Sequence, residues 1–323
     1  MRATNAKLAR LAAMAIWSSV GGVFVLAQST PSCPSSPSYS PDFASHSGCL
    51  VLNGQNGSGF TGSPSFAAPI TVEQNVNSAL QLTPDQGNWA VSAWDSTPQP
   101  VAGGFSTTFS FELGTSSLGS LGPADGIAFV VQNSNPNATD ALMALGPPGC
   151  GIGYANCGGE TGGITNSIAI EFNTFLNQGV DPSADNVTIQ SCGANANSTD
   201  ASCTLKGSVY DLTGKVSLSN TLQHVATVTY TPCPSGATEP CSFIDVVVDG
   251  IDLYPGGLPF DLGSIGLNDG NAYVGFTAGT GGGNEFQQIL NWTFTPSGQS
   301  QTGGTPPGQT TTAAPVFRSA GTR

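Results

Sequence analysis

Glycine and proline interrupt this sequence so often that long regular helices are excluded. The 323 residues include 43 glycines and 23 prolines, and turn residues recur every few positions. Proline removes a backbone donor and clashes with the preceding helical turn, while glycine has the largest entropic cost of ordering. No stretch shows sustained helical periodicity. The composition therefore excludes coiled coils and helix-rich proteins, and it favours a turn-rich β protein.

Short runs of β-branched and aromatic residues between these turns predict strands. Residues 105–111 (FSTTFSF) alternate with a period of two, as a strand with one buried face does. The other strand-like runs are residues 126–131 (GIAFVV), 167–172 (SIAIEF), 224–230 (HVATVTY), 243–248 (FIDVVV) and 272–277 (AYVGFT). Two antiparallel sheets packed face to face are the simplest architecture for these strands, and about 250 residues in the middle of the chain fit one all-β domain.

The two ends of the chain differ from this middle. Residues 1–27 combine three basic side chains with an apolar stretch and small residues before Gln28, the pattern of a cleaved signal peptide. A membrane anchor is the alternative, but the apolar run is short and contains Gly and Ser. Residues 28–48 form a Ser/Pro-rich lead-in and residues 297–323 a Gly/Thr/Pro-rich tail, and neither composition is expected to bury a core. We expect export to an extracellular or periplasmic location, without membrane insertion.

The charge balance excludes nucleic acid as a partner. Acidic residues outnumber Lys and Arg by 20 to 7, and loss of residues 1–27 would leave four basic side chains. Nucleic-acid binding depends on a cationic surface that displaces counterions from phosphates. This sequence does not supply one.

Eight cysteines predict disulfides rather than a metal or redox centre. Cys-x-x-Cys spacing, which would suggest zinc or a redox dithiol, is absent. The cysteines fall into four local pairs along the chain: Cys33 with Cys49, Cys150 with Cys157, Cys192 with Cys203, and Cys233 with Cys241. Eight cysteines allow about a hundred pairings, so sequential bridges are a hypothesis from spacing. Disulfides persist in oxidising compartments, which agrees with export.

Six sequence blocks follow one another in the order of a known family. They are residues 80–83 (LQLT), 93–94 (AW), 105–111 (FSTTFSF), 124–129 (ADGIAF), 170–177 (IEFNTFLN) with Asp181 and Pro182, and 274–278 (VGFTA) with 290–294 (LNWTF). Together they resemble the legume, or L-type, lectins from about residue 50 to residue 295. The resemblance implies that residues 49–296 form an antiparallel jelly-roll β-sandwich with a shallow sugar pocket, built from loops at one end.

The first sugar-binding residues implied by the resemblance are an aspartate and a glycine. The family's Ala-Asp-Gly aspartate accepts hydrogen bonds from sugar hydroxyls and follows an unusual cis peptide bond. It corresponds to Asp125, with Ala124–Asp125 as the cis bond; a lone Asp-Gly would otherwise be read as a turn. The family's glycine-loop amide, which points at a sugar hydroxyl, corresponds to Gly149 or Gly151. A plain turn closed by a disulfide is an open alternative for that loop.

Two further loops complete the implied sugar pocket. The Phe175 ring would pack against the apolar face of the sugar, and the Asn177 amide would donate to a hydroxyl. Residues 279–283 with Asn284 and Glu285 correspond to the family's variable specificity loop, although so many glycines are also typical of a flexible hairpin. The sequence does not identify the sugar.

The same region resembles the family's metal loop, with two departures. For calcium, which prefers six to eight oxygen ligands, the implied ligands are Asn173, the Phe175 carbonyl, Asn177 and Asp181; for a transition metal such as Mn²⁺ they are Glu171, Asp181 and Asn186. The family usually has an aspartate at the position of Asn173 and a histidine at that of Asn186. We therefore expect calcium, and a second site that is weak or empty unless Asp185 substitutes. A loop held by hydrogen bonds without any metal is the alternative.

The resemblance implies a secreted, non-catalytic lectin that binds glycans or glycoconjugates. The glucanases with a similar sandwich carry Glu-x-Asp-x-x-Glu on one strand, whereas Glu171 is followed by Asn173 and Leu176. Sequence motifs of serine hydrolases and zinc proteases are absent. A structural or adhesive surface protein is the main alternative, and a glycoside hydrolase is a weaker one. Oligomeric state is not predicted.

Overall fold

Two antiparallel β-sheets make up nearly all of the described chain. The computed structural model describes residues 33–39, 43–56, 65–67, 78–115, 121–134, 141–237 and 241–297. The predicted signal peptide and residues 298–323 of the predicted tail lie outside these ranges. In the described part, no helix is long and apolar enough to cross a membrane.

The strands are numbered in chain order. They are β1 (Ser38–Tyr39), β2 (Leu50–Asn56), β3 (Ser65–Ala67), β4 (Ala79–Thr83), β5 (Trp89–Asp95), β6 (Gln99–Pro100), β7 (Phe105–Gly114), β8 (Gly126–Gln132), β9 (Ser167–Asn173), β10 (Asn186–Gln190), β11 (Tyr210–Asp211), β12 (Gln223–Thr231), β13 (Phe243–Val248), β14 (Ile251–Asp252), β15 (Leu258–Pro259), β16 (Asn271–Gly279) and β17 (Phe286–Pro296). Short 3-10 helices span Ala44–Cys49, Gly149–Gly151 and Leu262–Ile265.

The strands form a back sheet and a front sheet. The back sheet has the order β14-β13-β12-β7-β17-β4-β3, with β1 beside β17 and β15 beside β13. The front sheet has the order β11-β10-β9-β8-β16-β5-β2, with β6 beside β16. Each of the six predicted runs lies in a strand, namely β7, β8, β9, β12, β13 and β16. The predicted all-β, antiparallel jelly-roll sandwich is confirmed.

Aromatic side chains join the inner faces of the two sheets. Phe109 on β7 of the back sheet lies 5.7 Å from Phe172 and 5.0 Å from Phe276 of the front sheet, measured between ring centroids. Trp292 on β17 packs edge-on against Phe276 at 4.9 Å. All four side chains are fully buried. Burial of such rings contributes roughly 2–3 kcal/mol each and holds the sheets together.

Residues 141–164 cover the outer face of the front sheet. Trp94 on β5 points outward and donates its indole N–H to the Ala144 carbonyl at 2.9 Å. Ile152, Tyr154 and Ile164 from the covering segment pack with Trp94 in a second apolar cluster. Every residue of β8 and β9 is therefore buried. Burial on both faces explains why these strands are continuous apolar runs rather than alternating ones.

The prediction that the lead-in buries no core is wrong for its described residues. β1 pairs with β17, and Tyr39 and Phe43 are fully buried. Their rings stack on each other at 5.1 Å, and Tyr39 also stacks on Trp292 at 5.5 Å. Two aromatic residues in a Ser/Pro-rich background suffice here because the closing strand of the back sheet supplies their partner.

The predicted disulfides are all present. Cys33–Cys49, Cys150–Cys157, Cys192–Cys203 and Cys233–Cys241 are bridged, so none of the eight cysteines is free. The bridges close loops of 16, 7, 11 and 8 residues respectively. The first ties the lead-in to the residue preceding β2, and the second and third stabilise loops of the front sheet.

Candidate functional site

Asp125 lies where three neighbouring front-sheet strands reach the same edge. The register pairs Gly126, the first residue of β8, with Gly279 of β16 and with Asn173 of β9. The Asp125 N–H donates to the Gly279 carbonyl at 3.0 Å, and the Thr174 N–H donates to the Asp125 carbonyl at 3.0 Å. The Ala124–Asp125 peptide bond is cis, as predicted. The loops that follow β9 and β16 therefore meet around this aspartate.

The Asp125 carboxylate is buried without a balancing charge. The residue is 5% exposed, and its Oδ2 has no hydrogen-bond partner among the described residues. Burial, followed by the negative charges of Glu285 and Asp181, raises the pKa of Asp125 to about 7. A buried polar atom without a partner is costly, so an external donor is the simplest partner for this oxygen.

Two glycines leave the space in front of this carboxylate open. A Cβ built on Gly281 would lie 3.1 Å from Asp125 Oδ2 and 3.2 Å from the Cα of Gly149. Only the absence of a side chain at Gly281 therefore keeps this side of the carboxylate unfilled. A surface cavity of about 200 Å³ adjoins the two glycines, and its other lining residues include Asn88 and Glu160.

The two glycine-loop residues have different surroundings. Gly149 adjoins Gly281. Gly151 is buried, and a Cβ built on it would lie 3.0 Å from the Pro147 ring. The Gly149 N–H donates to the Thr280 carbonyl at 3.0 Å and the Gly151 N–H to the Pro148 carbonyl at 3.3 Å. The prediction that one of these amides donates to a sugar hydroxyl does not fit this geometry, because both already have acceptors. Gly149 instead leaves the space beside Gly281 without a side chain.

The predicted specificity loop is tied to a neighbouring loop. The Asn284 side-chain amide donates to Asp85 Oδ1 at 2.5 Å. The Asn88 N–H donates to the Gly281 carbonyl at 3.1 Å, and the Thr280 hydroxyl donates to the Gln86 carbonyl at 2.7 Å. Asn284 therefore supports the loop through Asp85. A freely flexible hairpin is a poor description of residues 279–284.

Phe175 and Asn177 lie in the loop that follows β9, and both are half-buried. The Asn177 backbone N–H and side-chain amide both donate to Asp181 Oδ2, at 2.9 and 3.0 Å. The Asp181 N–H donates back to the Asn177 carbonyl at 3.0 Å. Burial raises the pKa of Asp181, and the bonds from Asn177 oppose that rise. The amide that was predicted to contact sugar is thus directed at Asp181.

The other predicted metal ligands lie on β9 and β10. The Asn173 amide donates to Asn186 Oδ1 at 2.9 Å, and the Asn186 amide donates to the Ser183 carbonyl at 2.9 Å. Glu171 is buried, and its Oε1 has no hydrogen-bond partner in the described part of the chain. Burial and the charge of Asp181 raise the pKa of Glu171 well above its usual range. Among the described residues, no group of three or more His, Cys, Asp and Glu side chains is placed to hold a metal ion.

The comparisons with known proteins agree with this geometry. The sequence model of the legume lectin domain matches residues 58–309, which is more than half of the chain. The chain belongs to the legume lectin family. Membership implies a carbohydrate-binding protein, and the predicted resemblance is confirmed.

Two similar proteins illustrate how far the match extends. Agglutinin-2 of Cladrastis kentukea is 28% identical to this legume lectin over 238 residues, which are 71% of this chain and 68% of that protein. The solved structure of a lectin from Bauhinia forficata in complex with GalNAc aligns with a TM-score of 0.50 and 23% identity. That alignment covers 80% of this chain and 96% of the Bauhinia chain, and it shows the shared fold.

Glu285, which the sequence analysis placed in the specificity loop, is fully buried beside Asp125 in this legume lectin. Its buried carboxylate accepts hydrogen bonds from the Thr174 and Ser219 hydroxyls, each at 2.6 Å, and from the Gln287 amide at 3.2 Å. Burial raises the pKa of Glu285 to about 7, against the lowering effect of these hydrogen bonds. Nothing in the sequence indicated that Glu285 would be buried, because its hydroxyl partners Thr174 and Ser219 are more than 60 residues away.

Proposed function

We propose that this legume lectin is an exported, non-catalytic protein that binds a sugar at Asp125 with the help of calcium. The observation that carries the proposal is the buried Asp125 Oδ2, which has no hydrogen-bond partner among the described residues and lies beside Gly281, where no side chain fills the space. An ionised carboxylate is an acceptor-only group, so it matches the hydroxyl donors of a sugar. The half-buried ring of Phe175 supplies an apolar surface for the sugar's C–H face.

The buried acids around Asp125 support a hard cation in this region. Burial and, as a smaller cause, the charge of Asp181 raise the pKa of both Asp125 and Glu171, so Asp181 repels each of these carboxyl groups. Neither of the two described lysines, Lys206 and Lys215, offsets these pKa shifts with its positive charge. The donors available are carboxylate, amide and carbonyl oxygens, the set that Ca²⁺ prefers. Asp181, Asn177, Asn173 and the Phe175 carbonyl would hold it, and its charge would keep the nearby carboxylates ionised.

A transition metal fits these residues less well. The Asn186 side chain accepts a hydrogen bond from Asn173 and donates to Ser183, so its oxygen and nitrogen are both engaged. A neutral amide is also a poorer ligand for Mn²⁺ or Zn²⁺ than imidazole. We therefore propose calcium and retain Mn²⁺ at Glu171, Asp181 and Asn186 only as a weak site.

Glycan-array binding of the full chain tests the proposal. Wild-type protein should bind a subset of glycans in calcium, and Asp125→Asn should lose that binding because one oxygen acceptor becomes an amide donor. Asp269→Asn is the matched control, since Asp269 is exposed and precedes β16 at the end of that strand opposite Gly279. If chelator abolishes glycan binding, the calcium-organised site is supported. If glycan binding survives chelator, the role of calcium is discarded and the sugar site at Asp125 is kept. No binding by wild type would favour the structural or adhesive alternative.

Export and the absence of catalysis are parts of the same proposal. The four disulfides support an oxidising location outside the cytosol. Glycosidase chemistry needs two carboxyl groups on opposite sides of a scissile bond, and Glu171 is buried on β9 and does not line the cavity at Gly281. Incubation of the bound glycans with the protein should return them intact, and any released sugar would instead support a hydrolase.

A further inference from the structure

We infer that the sugar site continues into a second groove, which binds a further sugar residue of an uncharged oligosaccharide. The inference rests on the proposed function, because the first sugar residue is the one placed at Asp125. The ligand is then a chain of at least two linked sugars, and the second groove lies between two disulfide-closed loops.

The second groove adjoins the cavity beside Gly281. It has a volume of about 440 Å³ and is lined by parts of residues 156–161 and 192–203. Cys157, Gly158 and Glu160 line both this groove and the cavity at Gly281. The two hollows are therefore neighbours, separated at most by these shared residues. A linked pair of sugars laid over this loop would place one sugar in each.

Covalent and hydrogen bonds fix the walls of the groove. Cys150–Cys157 closes one wall and Cys192–Cys203 the other. Asn156 joins the walls: its N–H donates to the Asn197 carbonyl at 2.8 Å, and its carbonyl accepts from the Thr199 N–H at 2.9 Å. A groove that is ordered before the ligand arrives loses less conformational entropy on binding.

The chemistry of the lining selects for hydroxyl donors. Glu160 and Asp200 are exposed carboxylates on the groove, and Thr161 and Ser198 add hydroxyl groups. Neither described lysine lines the groove or the adjoining cavity. Carboxylates accept hydrogen bonds from neutral sugars and repel sialic acid, sulfate and uronic acid groups. The groove therefore fits an uncharged oligosaccharide.

Calorimetry on the full chain in calcium tests the inference. The probes are galactose, mannose and N-acetylglucosamine, neutral di- to tetrasaccharides that end in each of them, and the same oligosaccharides with a sialic acid added. Wild-type protein should bind the best neutral oligosaccharide roughly tenfold more tightly than its terminal monosaccharide, the effect of one or two added hydrogen bonds. The sialylated form should lose that gain.

Two variants assign the gain to this groove. Thr161→Trp fills the groove and Asp200→Asn removes one acceptor charge, while Asp125 is untouched. Both should keep the monosaccharide Kd within about twofold, and Thr161→Trp should abolish the oligosaccharide gain. The controls are Thr231→Trp, an exposed position on β12 of the back sheet, and Asp269→Asn. An unchanged Tm together with normal monosaccharide binding establishes that each variant is folded.

The outcomes separate this inference from the proposed function. Monosaccharide binding without any oligosaccharide gain, or a gain that persists in Thr161→Trp, overturns the second groove and leaves the Asp125 site standing. Tighter binding of the sialylated probes would overturn the assigned ligand class. If the protein binds none of the probes, both the proposed function and this inference are overturned.

Discussion

At the residue scale, one carboxylate and one missing side chain define the site. Asp125 supplies a buried oxygen that has no hydrogen-bond partner in the described part of the chain, and Gly281 leaves open the space in front of it. The two neighbouring acids, Glu285 and Asp181, keep the local potential negative. A cation or a set of hydroxyl donors relieves both the missing hydrogen bond and the repulsion.

Gly281→Ala should separate binding from stability. Its Cβ would lie 3.1 Å from Asp125 Oδ2, in the space proposed for the sugar, and Gly281 does not have a positive φ. We expect glycan affinity to fall by roughly tenfold or more, with Tm changed by less than about 3 °C. Gly282→Ala is the control, because its Cβ would meet the end of the flexible, exposed Leu121 side chain. Equal affinities of the two variants would contradict the assigned position of the sugar.

Asn177→Ala should weaken glycan binding more than Phe175→Leu. The asparagine is proposed to serve both the calcium ion and the sugar, and its side chain also bonds Asp181 at 3.0 Å. Loss of such interactions should cost roughly tenfold to a hundredfold in affinity, whereas a leucine keeps part of the apolar contact of the ring. Titration of each variant with the best array glycan measures the difference. Equal, negligible effects would exclude this role for Asn177.

At the scale of elements, the site depends on the register of the front sheet. β16, β8 and β9 end together because Gly279, Gly126 and Asn173 are paired across the sheet. Loops that are distant in sequence thereby meet at one edge. Residues 141–164 add a covering layer and carry Gly149 to the same edge. A slip of one residue in this register would move Asp125 away from its partners.

The lead-in is an element of the core, and its loss should destabilise the sandwich. Tyr39→Ala or Phe43→Ala removes a fully buried ring from the stack that includes Trp292. Each change should lower the free energy of unfolding by about 3–5 kcal/mol. Denaturant unfolding measures this loss, and Leu176→Ala, at an exposed side chain, should change little. A loss below about 1 kcal/mol would show that the segment packs only loosely.

The long strands could be predicted from sequence, and the long-range partners could not. Residues 126–131 and 167–172 are apolar runs bounded by turn residues, and such runs predict strands from local sequence alone. β10 (Asn186–Gln190) was missed because it is short and begins with a polar residue. The pairing of Asn173 with Asn186 depends on cross-strand register, and the role of Tyr39 depends on Trp292, more than 250 residues away. Asp125 was found through its motif, whereas the burial of Glu285 and its hydrogen bonds to Thr174 and Ser219 became visible only in the folded chain.

At the scale of the whole molecule, acidity and metal are linked. Acidic side chains outnumber Lys and Arg by 20 to 7, and three of the buried acids, Asp125, Glu171 and Glu285, lie in the region of the site. Fixed negative charges in a low-dielectric region destabilise the fold unless protons or cations neutralise them. The stability of the protein should therefore depend on both pH and calcium.

The pH dependence has a defined sign. Burial raises the pKa values of Asp125 and Glu285 to about 7, above their usual values, so the folded chain binds their protons more tightly than the unfolded chain does. In chelator, the free energy of unfolding should be greatest near pH 4 and should decrease as the pH rises to about 7. Thermal unfolding should give a Tm roughly 5 °C lower at pH 8 than at pH 5.

A variant and a metal titration test the origin of this dependence. Glu285→Gln keeps the shape of the side chain and removes one charge, so the Tm difference between pH 5 and pH 8 should shrink. Calcium added at pH 8 should raise the Tm of the wild-type protein. Asp269→Asn, at an exposed acid, should leave both effects unchanged. A chelated protein that becomes more stable between pH 5 and pH 8 would contradict the sign.

All four disulfides are local bridges that close short loops. Each closes a loop of 16 residues or fewer, and buried aromatic rings pack the inner faces of the two sheets together. We therefore expect the sandwich to assemble while its thiols are still reduced. Cys150–Cys157 and Cys192–Cys203 close loops beside the candidate site, so their reduction should loosen those loops while the sheets stay folded. For this molecule, a native β-sheet spectrum would be no proof of competence to bind.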